Sequence, residues 1–418
     1  MASKSSRESY LIPIIIIGVL FFVFGFVTWV NSTLISYFEN VLSLTKSEAL
    51  WVTFAFYISY AVMAFPSSWI LKKSGFKNGM VLGLLVMALG ALVFIPAARS
   101  QAYGLFLTGL FIQGTGLALL QTASNPYVTI LGPIESAAKR ISIMGICNKG
   151  AGAIAPLIMG ALMLKNMDQP GLGQEELISR IVMPYVVIAV VLIIVALAVR
   201  FSALPEIESE EETNEDHVGH IEDRPNWWNY PYLLIGFVAM FLYVGVEVVA
   251  GDTIISYGDS LGIDLNIAKN FTTYTMIGML IGYFLGIVLI PKYLKQEKAL
   301  MISAILGIVF SLGAIFTTGY TSVGFVAALG LANAAIYPAI WPLAVDGLGK
   351  HLKVGSALLI VGLSGGAIVP QLWAKLGEKL QDFQEAYWIL VPCYLFILYF
   401  AIAGHKKGKN VKLVKEAA

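Results

Sequence analysis

The stretch Thr33-Leu-Ile-Ser-Tyr-Phe38 ends the first long apolar segment, and a near copy of it, Thr253-Ile-Ile-Ser-Tyr-Gly258, ends a long apolar segment in the second part of the chain. A second pair, Gly152-Ala-Ile-Ala-Pro156 and Gly366-Ala-Ile-Val-Pro370, recurs at almost the same offset. Nearly constant offsets in separate segments are typical of an internal repeat, although apolar helices can resemble each other by chance. The sequence therefore predicts a chain of two similar halves.

The composition indicates that lipid covers much of this chain. Of its 418 residues, 58% are hydrophobic and 13% are charged, whereas soluble domains carry about 25% charged residues. A helix needs about 20 apolar residues to cross a bilayer. Twelve segments meet this condition, which predicts an all-α membrane protein of two pseudo-symmetric six-helix halves: 10–37, 48–71, 78–98, 102–131, 141–165, 180–203, 229–258, 268–291, 298–318, 322–348, 354–377 and 384–404.

Lysine and arginine residues orient these spans. If both termini are cytoplasmic, 19 of the 27 Lys and Arg residues fall on the cytoplasmic side and seven on the outer side, while Lys149 lies inside a span. This bias follows the positive-inside rule. We therefore expect a multi-pass protein of a bacterial inner membrane with both termini in the cytoplasm.

An acidic linker divides the two halves. The stretch from Glu206 to Asp223 carries nine acidic residues and no Lys or Arg, which is typical of a solvated, flexible segment. We predict a first bundle at 1–203, a linker at 204–228, a second bundle at 229–404 and a basic tail at 405–418.

Several functional classes are disfavoured. A net charge of +1 argues against a nucleic-acid partner, and the two cysteines, Cys147 and Cys393, form neither a disulfide framework nor a metal-binding pattern. The sequence has no phosphate-binding loop for ATP and no His, Asp or Glu cluster at catalytic spacing, which disfavours a membrane enzyme or sensor. We expect no cofactor, no metal and a monomer.

Three ionisable side chains lie well inside the spans: Lys149, Glu247 and Asp252. Charge is costly in a bilayer, so each is a candidate for coupling transport to a cation, and the Lys149 ammonium could itself occupy the place of that cation. A buried carboxylate can take up a proton, or it can supply oxygen to sodium. The alternatives are a fixed hydrogen-bond acceptor for either carboxylate and a lysine that reaches to the interface for Lys149.

Amides and aromatic rings recur at helical spacing in the spans. One repeat offset maps Gln121 onto Asn333 and Asn125 onto Tyr337, so these stripes would face each other between the halves. Such groups suit a substrate rich in hydroxyls, although each could instead join helices, worth about 0.6 kcal/mol on average. The predicted substrate-binding set is Asn31, Gln121, Asn125, Asn148, Glu247, Asn333, Tyr337, Trp341 and Gln371.

The segment Leu120-Gln-Thr-Ala-Ser-Asn-Pro-Tyr-Val-Thr-Ile-Leu-Gly-Pro133 resembles the span-four signature of the fucose–galactose–glucose symporter family within the major facilitator superfamily. The loop from Pro66 to Gly79 is similar to the basic cytoplasmic loop of that superfamily. The resemblance implies the major facilitator fold. It also implies the uptake of a neutral hexose driven by protons or sodium. The family's embedded carboxylates of spans one and four align with Ser32 and Gln121 here, so the coupling residues do not carry over.

We therefore expect a secondary active transporter that imports glucose, galactose, fucose or an N-acetylhexosamine by alternating access, with protons as the coupling ion. Sodium coupling, or an uncoupled facilitator or exporter of another solute, is the alternative. The expected partners are the sugar, H⁺ or Na⁺, and the lipid bilayer.

Overall fold

The computed structural model describes residues 3–130, 137–165, 173–202, 204, 226–290, 293–348 and 351–409. Within these ranges it leaves out the side chains of 3–12, 125–126, 129–130, 137–139, 142, 174 and 352–353. Most of the expected linker at 204–228, and the tail beyond residue 409, lie outside the described residues.

Helices make up the described part of the chain, which contains no strand. The first half comprises α1 (Ser3–Trp29), α2 (Asn31–Val41), α3 (Lys46–Ala49), α4 (Trp51–Ser100), α5 (Tyr103–Ile130), α6 (Ala137–Met163), α7 (Gln174–Ser179) and α8 (Val182–Phe201). The second half comprises α9 (Pro231–Asp252), α10 (Ile254–Ser260), α11 (Leu265–Ala268), α12 (Phe271–Leu289), α13 (Gln296–Phe316), α14 (Gly319–Asn333), α15 (Ile336–Val345), α16 (Leu352–Gly362), α17 (Gly365–Leu380) and α18 (Leu390–Ile402). Short 3₁₀ turns lie at Trp227–Asn229, Glu385–Ile389 and Gly404–Lys406.

Gly75 divides α4 into two spans and brings the total to twelve. Eleven helical segments among the described residues are long and apolar enough to cross a membrane, and one of them, Lys46–Ser100, has 55 residues. Gly75 interrupts this segment with φ 77° and ψ 171°, a backbone conformation that is essentially restricted to glycine. The turn falls between the two expected spans at 48–71 and 78–98, so the prediction of twelve spans is confirmed.

Several spans in the described part of the chain are interrupted or followed directly by a break between consecutive helices. The junctions lie between α1 and α2, α9 and α10, α14 and α15, and α16 and α17. Backbone carbonyls released at such junctions need new donors inside a membrane. Side-chain hydroxyls add donors at three of these junctions: Ser32 donates to Trp29 O at 2.9 Å, Thr253 to Val249 O at 2.6 Å, and Ser364 to Val361 O at 2.7 Å. Val249 O and Val361 O also accept from the backbone N–H groups of Thr253 and Ser364.

One face of the bundle ties the two halves together by hydrogen bonds. Lys46 forms an ion pair with Glu39 and donates to Ser256 O at 3.0 Å and Ser256 Oγ at 2.9 Å. The Glu378 carboxylate accepts from Ser47 N at 2.8 Å and from Ser47 Oγ at 2.7 Å. We call these five residues the closed face. Deeper in the bundle the halves meet where α6 packs on α12 and α4 packs on α17.

Replacement of Gly75 by alanine should destabilise the protein, because a Cβ disfavours the backbone conformation of this turn by about 1–3 kcal/mol. The apparent Tm in detergent micelles measures the effect. Gly286→Ala in α12 is the matched control, since a Cβ there meets nothing within 4 Å and alanine favours a helix over glycine by about 0.5–1 kcal/mol. A Gly75→Ala variant as stable as Gly286→Ala would contradict the assigned turn.

Candidate functional site

A buried ion pair joins the halves near the middle of the bundle. Lys149 Nζ on α6 lies 2.7 Å from Glu247 Oε1 on α9, and the two residues are 8% and 9% exposed. Removing two charges from water costs several kcal/mol per ion, and their attraction offsets that cost only when the geometry is good. Each half thus carries a charge that the other half neutralises.

Trp29, the last residue of α1, packs between the halves beside this ion pair. Its ring centroid lies 4.6 Å from Lys149 Nζ, a cation–π contact, and the residue is 2% exposed. A Cβ at Gly152 of α6 would lie 2.4 Å from Trp29 Cδ1, and a Cβ at Gly251 of α9 would lie 2.2 Å from Trp29 Cζ3. Only glycine at these two positions lets both halves close on the indole.

Tyrosine side chains surround the Glu247 carboxylate. The charge of Glu247 acts on the hydroxyl groups of four tyrosines: Tyr57, Tyr243, Tyr283 and Tyr337. The Tyr337 ring lies 6.3 Å from that of Tyr243 and 5.9 Å from that of Trp341, measured between centroids. The predicted residues Glu247, Tyr337 and Trp341 therefore share one aromatic and polar region with Lys149.

Gln121 reaches the same region from the first half. Its amide donates to the Tyr60 hydroxyl at 3.0 Å, and the Tyr60 ring stacks on Tyr57 with centroids 6.1 Å apart. Tyr60 also lies within electrostatic range of Tyr337 in the second half. Tyr60 was not among the site residues predicted from the sequence. Its position three residues after Tyr57, on the same face of a helix, is the signal that would have found it.

Among the described residues, the other predicted amides make separate contacts between helices or leave an amide nitrogen unpaired. Asn31 is 1% exposed and its Nδ2 has no partner among the described residues, while Asn148 Nδ2 donates to Phe21 O at 3.4 Å. Asn333 has no exposed surface, and its Oδ1 accepts from Tyr394 at 2.8 Å, which joins α14 to α18. Gln371 donates to Ser47 O at 3.2 Å beside the closed face. The Asn125 side chain lies outside the described residues.

Asp252, the last residue of α9, is the third ionisable group of the site. It has no exposed surface, and neither carboxyl oxygen has a hydrogen-bond partner in the described part of the chain. The backbone carbonyls beside it are occupied, because Thr272 donates to Gly251 O at 2.7 Å and Thr275 to Ala250 O at 3.2 Å. Across the described ranges no group of three or more His, Cys, Asp or Glu residues could hold a metal ion.

The Lys149–Glu247 pair should show strong coupling in a double-mutant cycle. Either Lys149→Ala or Glu247→Ala leaves an uncompensated buried charge, with an expected cost of about 3–5 kcal/mol. The double variant removes both charges and should cost much less than the sum of the two. Thermal unfolding in detergent measures this.

The pair Lys409–Asp346, 2.8 Å apart with the Asp346 side chain 61% exposed and that of Lys409 14% exposed, is the less buried control for this cycle. Its single replacements should each change the stability by only about 0–1 kcal/mol. Additive effects at Lys149 and Glu247 would show that the buried pair does not act as a unit.

A family profile and individual relatives of known name relate this chain to membrane transporters. The sequence profile of the Major Facilitator Superfamily matches residues 17–370. The chain is 31% identical over 405 residues to a glucose/galactose transporter of Brucella abortus biovar 1 (strain 9-941), covering 96% of each chain. It is 29% identical over 412 residues to the L-fucose-proton symporter of Escherichia coli (strain K12), covering 94% of this chain and 93% of the relative.

The fold matches that of a solved transporter. A crystal structure of a major facilitator superfamily transporter, FucP, in the outward conformation superimposes with a TM-score of 0.73 at 28% identity, covering 94% of this chain and 98% of that chain. The profile, the relatives and this structure agree with the twelve spans and the duplicated halves. The chain therefore belongs to the major facilitator superfamily, in the group of sugar symporters that it resembles by sequence, and it is a transporter rather than an enzyme.

Proposed function

We propose that this protein imports a neutral hexose-type sugar together with protons across a bacterial inner membrane by alternating access. The observation that carries the proposal is the buried Lys149–Glu247 pair, which joins the two halves within a polar and aromatic region. The relatives named as glucose/galactose transporter and L-fucose-proton symporter support the sugar class and the proton.

The sugar site is proposed to lie between α5 and α15. A hexose offers hydroxyl groups to amides and phenols, and its C–H faces pack on aromatic rings. Gln121 and Tyr60 supply polar groups from the first half, while Tyr337 and Trp341 supply rings from the second half. The proposed set of sugar-binding residues also includes Asn31, Asn125, Asn148 and Glu247. Asn333 and Gln371 are instead proposed to stabilise the packing of neighbouring helices.

Lys149 and Glu247 are proposed to make transport depend on protons. A cation can drive the cycle only if it binds the two conformations with different free energies. The opposite charges of Lys149 and Glu247 attract α6 to α9, so a proton that changes the charge within reach of Lys149 would alter this attraction. Asp252, which lies within electrostatic range of both residues, belongs to the same proposed coupling group.

The bias of Lys and Arg gives the proposed orientation, with both termini in the cytoplasm. The closed face then lies on the outer side of the membrane, where α2, α10 and α17 end. Sugar from outside reaches the centre only when the contacts of Lys46 with Ser256 and of Ser47 with Glu378 separate. The conformation described here is accordingly proposed to be one with its outer entrance shut.

A crosslink across the closed face should stop uptake, because it prevents this separation. The variant Ser47→Cys with Glu378→Cys, in a background of Cys147→Ser and Cys393→Ser, is treated with a short bifunctional thiol reagent that is cleaved by reductant. Sugar uptake by the variant in liposomes should fall by about tenfold or more and recover on reduction. Uptake that continues at full rate through the crosslinked protein would contradict alternating access at this face. Each single cysteine variant is the control.

The substrate and the coupling ion are tested by uptake of radiolabelled glucose, galactose, fucose and N-acetylglucosamine into proteoliposomes under separately imposed proton and sodium gradients. One pH unit stores about 1.4 kcal/mol, so one-to-one symport should accumulate the sugar about tenfold. Accumulation with sodium alone would favour the sodium symporter. Equilibration without accumulation under either gradient would favour an uncoupled facilitator, and no sugar transport at all would contradict the sugar assignment.

A further inference from the structure

Asp252 is isolated in a way that no other described carboxylate of the site is. It has no exposed surface, and neither of its oxygens has a hydrogen-bond partner among the residues described. Glu247, which precedes it by little more than one turn of the same helix, has the Lys149 ammonium at 2.7 Å. One carboxylate of α9 is thus fully paired while the other is left alone.

The repeat makes Asp252 the equivalent of a hydroxyl residue. The same offset that relates Thr33 to Thr253 also relates Ser32 to Asp252. Ser32 lies at the junction of α1 and α2 and donates to Trp29 O at 2.9 Å, so it is satisfied by its own backbone. Asp252 lies at the matching junction of α9 and α10 without any such contact among the described residues. The two halves therefore differ in chemistry at equivalent positions.

An isolated buried carboxyl group is stable only in its neutral form. Burial of an ionised carboxylate without a hydrogen-bonded partner carries a large penalty, and the group takes up a proton instead. The titratable groups within electrostatic range of Asp252 in the described structure are Lys149 on α6, Glu247 on α9 and Tyr57 on α4. Lys149 attracts an ionised Asp252 from a distance, but Glu247 holds the Lys149 ammonium at 2.7 Å and itself repels Asp252, so ionised Asp252 has no hydrogen-bonded partner among the described residues.

The surroundings of Asp252 suit a proton better than a sodium ion. A metal cation needs several oxygen ligands arranged around it. No hydroxyl or amide among the described residues forms a hydrogen bond with the Asp252 oxygens. The adjacent carbonyls of Ala250 and Gly251 already accept hydrogen bonds from Thr275 and Thr272. Among the described residues, the surroundings of Asp252 thus offer one carboxyl group and no set of oxygen ligands that could coordinate a sodium ion.

We propose that Asp252 is the residue that binds the transported proton, and that in this conformation it is neutral while Lys149 pairs with Glu247. When water reaches Asp252, the carboxyl O–H bond breaks, the proton leaves to that water, and the residue keeps its negative charge. Ionised Asp252 then competes with Glu247 for Lys149. This proposal rests on the proposed function and adds to it the identity of the proton-binding residue.

Lys149 contacts Glu247 and is close enough to Asp252 to attract it, so its side chain is placed to exchange between the two carboxylates. Glu247 and Asp252 are separated by about 7.5 Å along α9, at a rise of about 1.5 Å per residue, and the flexible lysine stem can cover much of that distance. Both carboxylates belong to the second half, whereas Lys149 belongs to the first half. A shift of the ion pair therefore changes how α6 sits on α9, and proton binding becomes linked to the relative position of the halves.

The test uses Asp252→Asn, which mimics the permanently neutral residue, in proteoliposomes of the full-length protein. Under an inward proton gradient of about one pH unit the unaltered protein should accumulate sugar about tenfold, whereas the variant should reach only about the external concentration. Sugar-induced proton uptake should be lost as well. Counterflow exchange of labelled sugar, which requires no deprotonation, should stay within about threefold of that of the unaltered protein.

Asp346→Asn is the matched control, because Asp346 is an exposed carboxylate at the end of α15. It should retain accumulation, proton uptake and counterflow. Full proton-driven accumulation by Asp252→Asn, alongside normal behaviour of the unaltered protein, would overturn the assignment of Asp252 and leave the proposed function intact. If sodium drives accumulation in the unaltered protein and Asp252→Asn abolishes it, the claim that Asp252 binds a proton would be overturned. Uncoupled transport by the unaltered protein would overturn both proposals.

A second measurement covers the case in which Asp252→Asn does not fold. Dicyclohexylcarbodiimide enters apolar regions and reacts with protonated carboxyl groups, so peptide mass spectrometry of the treated, unaltered protein at about pH 7 should find the adduct on Asp252. Glu247, whose carboxylate contacts the Lys149 ammonium at 2.7 Å, should remain unmodified. Modification of Glu247 with Asp252 untouched would reverse the proposed protonation pattern and overturn the inference.

Discussion

The ion pair between Lys149 and Glu247 is the contact on which the centre of the molecule depends. Its two charges come from opposite halves and lie 2.7 Å apart where water is largely excluded. Neither charge could remain there alone, because an unpaired buried ion is far less stable than a paired one. The halves are consequently held in one relative position as long as both groups are charged, and any event that neutralises one of them loosens the interface.

The packing around this pair is shaped by where glycine occurs. Trp29 can lie between α6 and α9 only because Gly152 and Gly251 have no side chains, and its ring face then stabilises the Lys149 ammonium. Tyrosines of α4, α9, α12 and α15 add hydroxyls to the same region. Charge, aromatic faces and hydroxyls thus converge where the halves meet, and this arrangement suits a polar, uncharged solute with C–H faces.

A second set of contacts joins the two halves at the closed face. There Lys46 with Glu39 and Ser256, and Ser47 with Glu378, are partly exposed and made of hydrogen bonds and one ion pair. Such contacts are individually modest in free energy, so they can break and reform without unfolding the helices. The central pair is buried and more costly to break, which is why the proposed coupling group is placed there.

The sequence by itself determined the number of spans, the duplication and the three ionisable residues well inside the spans, since apolar length, repeat offsets and the cost of charge in lipid are local properties of the chain. It also singled out Gln121, Tyr337 and Trp341 as candidate sugar-binding residues, which remains a prediction. It did not reveal that Lys149 and Glu247 pair, that Tyr60 joins Gln121, or that Asn333 binds Tyr394, because these contacts link residues 61 to 98 positions apart along the chain. Only the packing of the two halves decided which carboxylate obtained the lysine and which, Asp252, was left without a hydrogen-bond partner among the described residues.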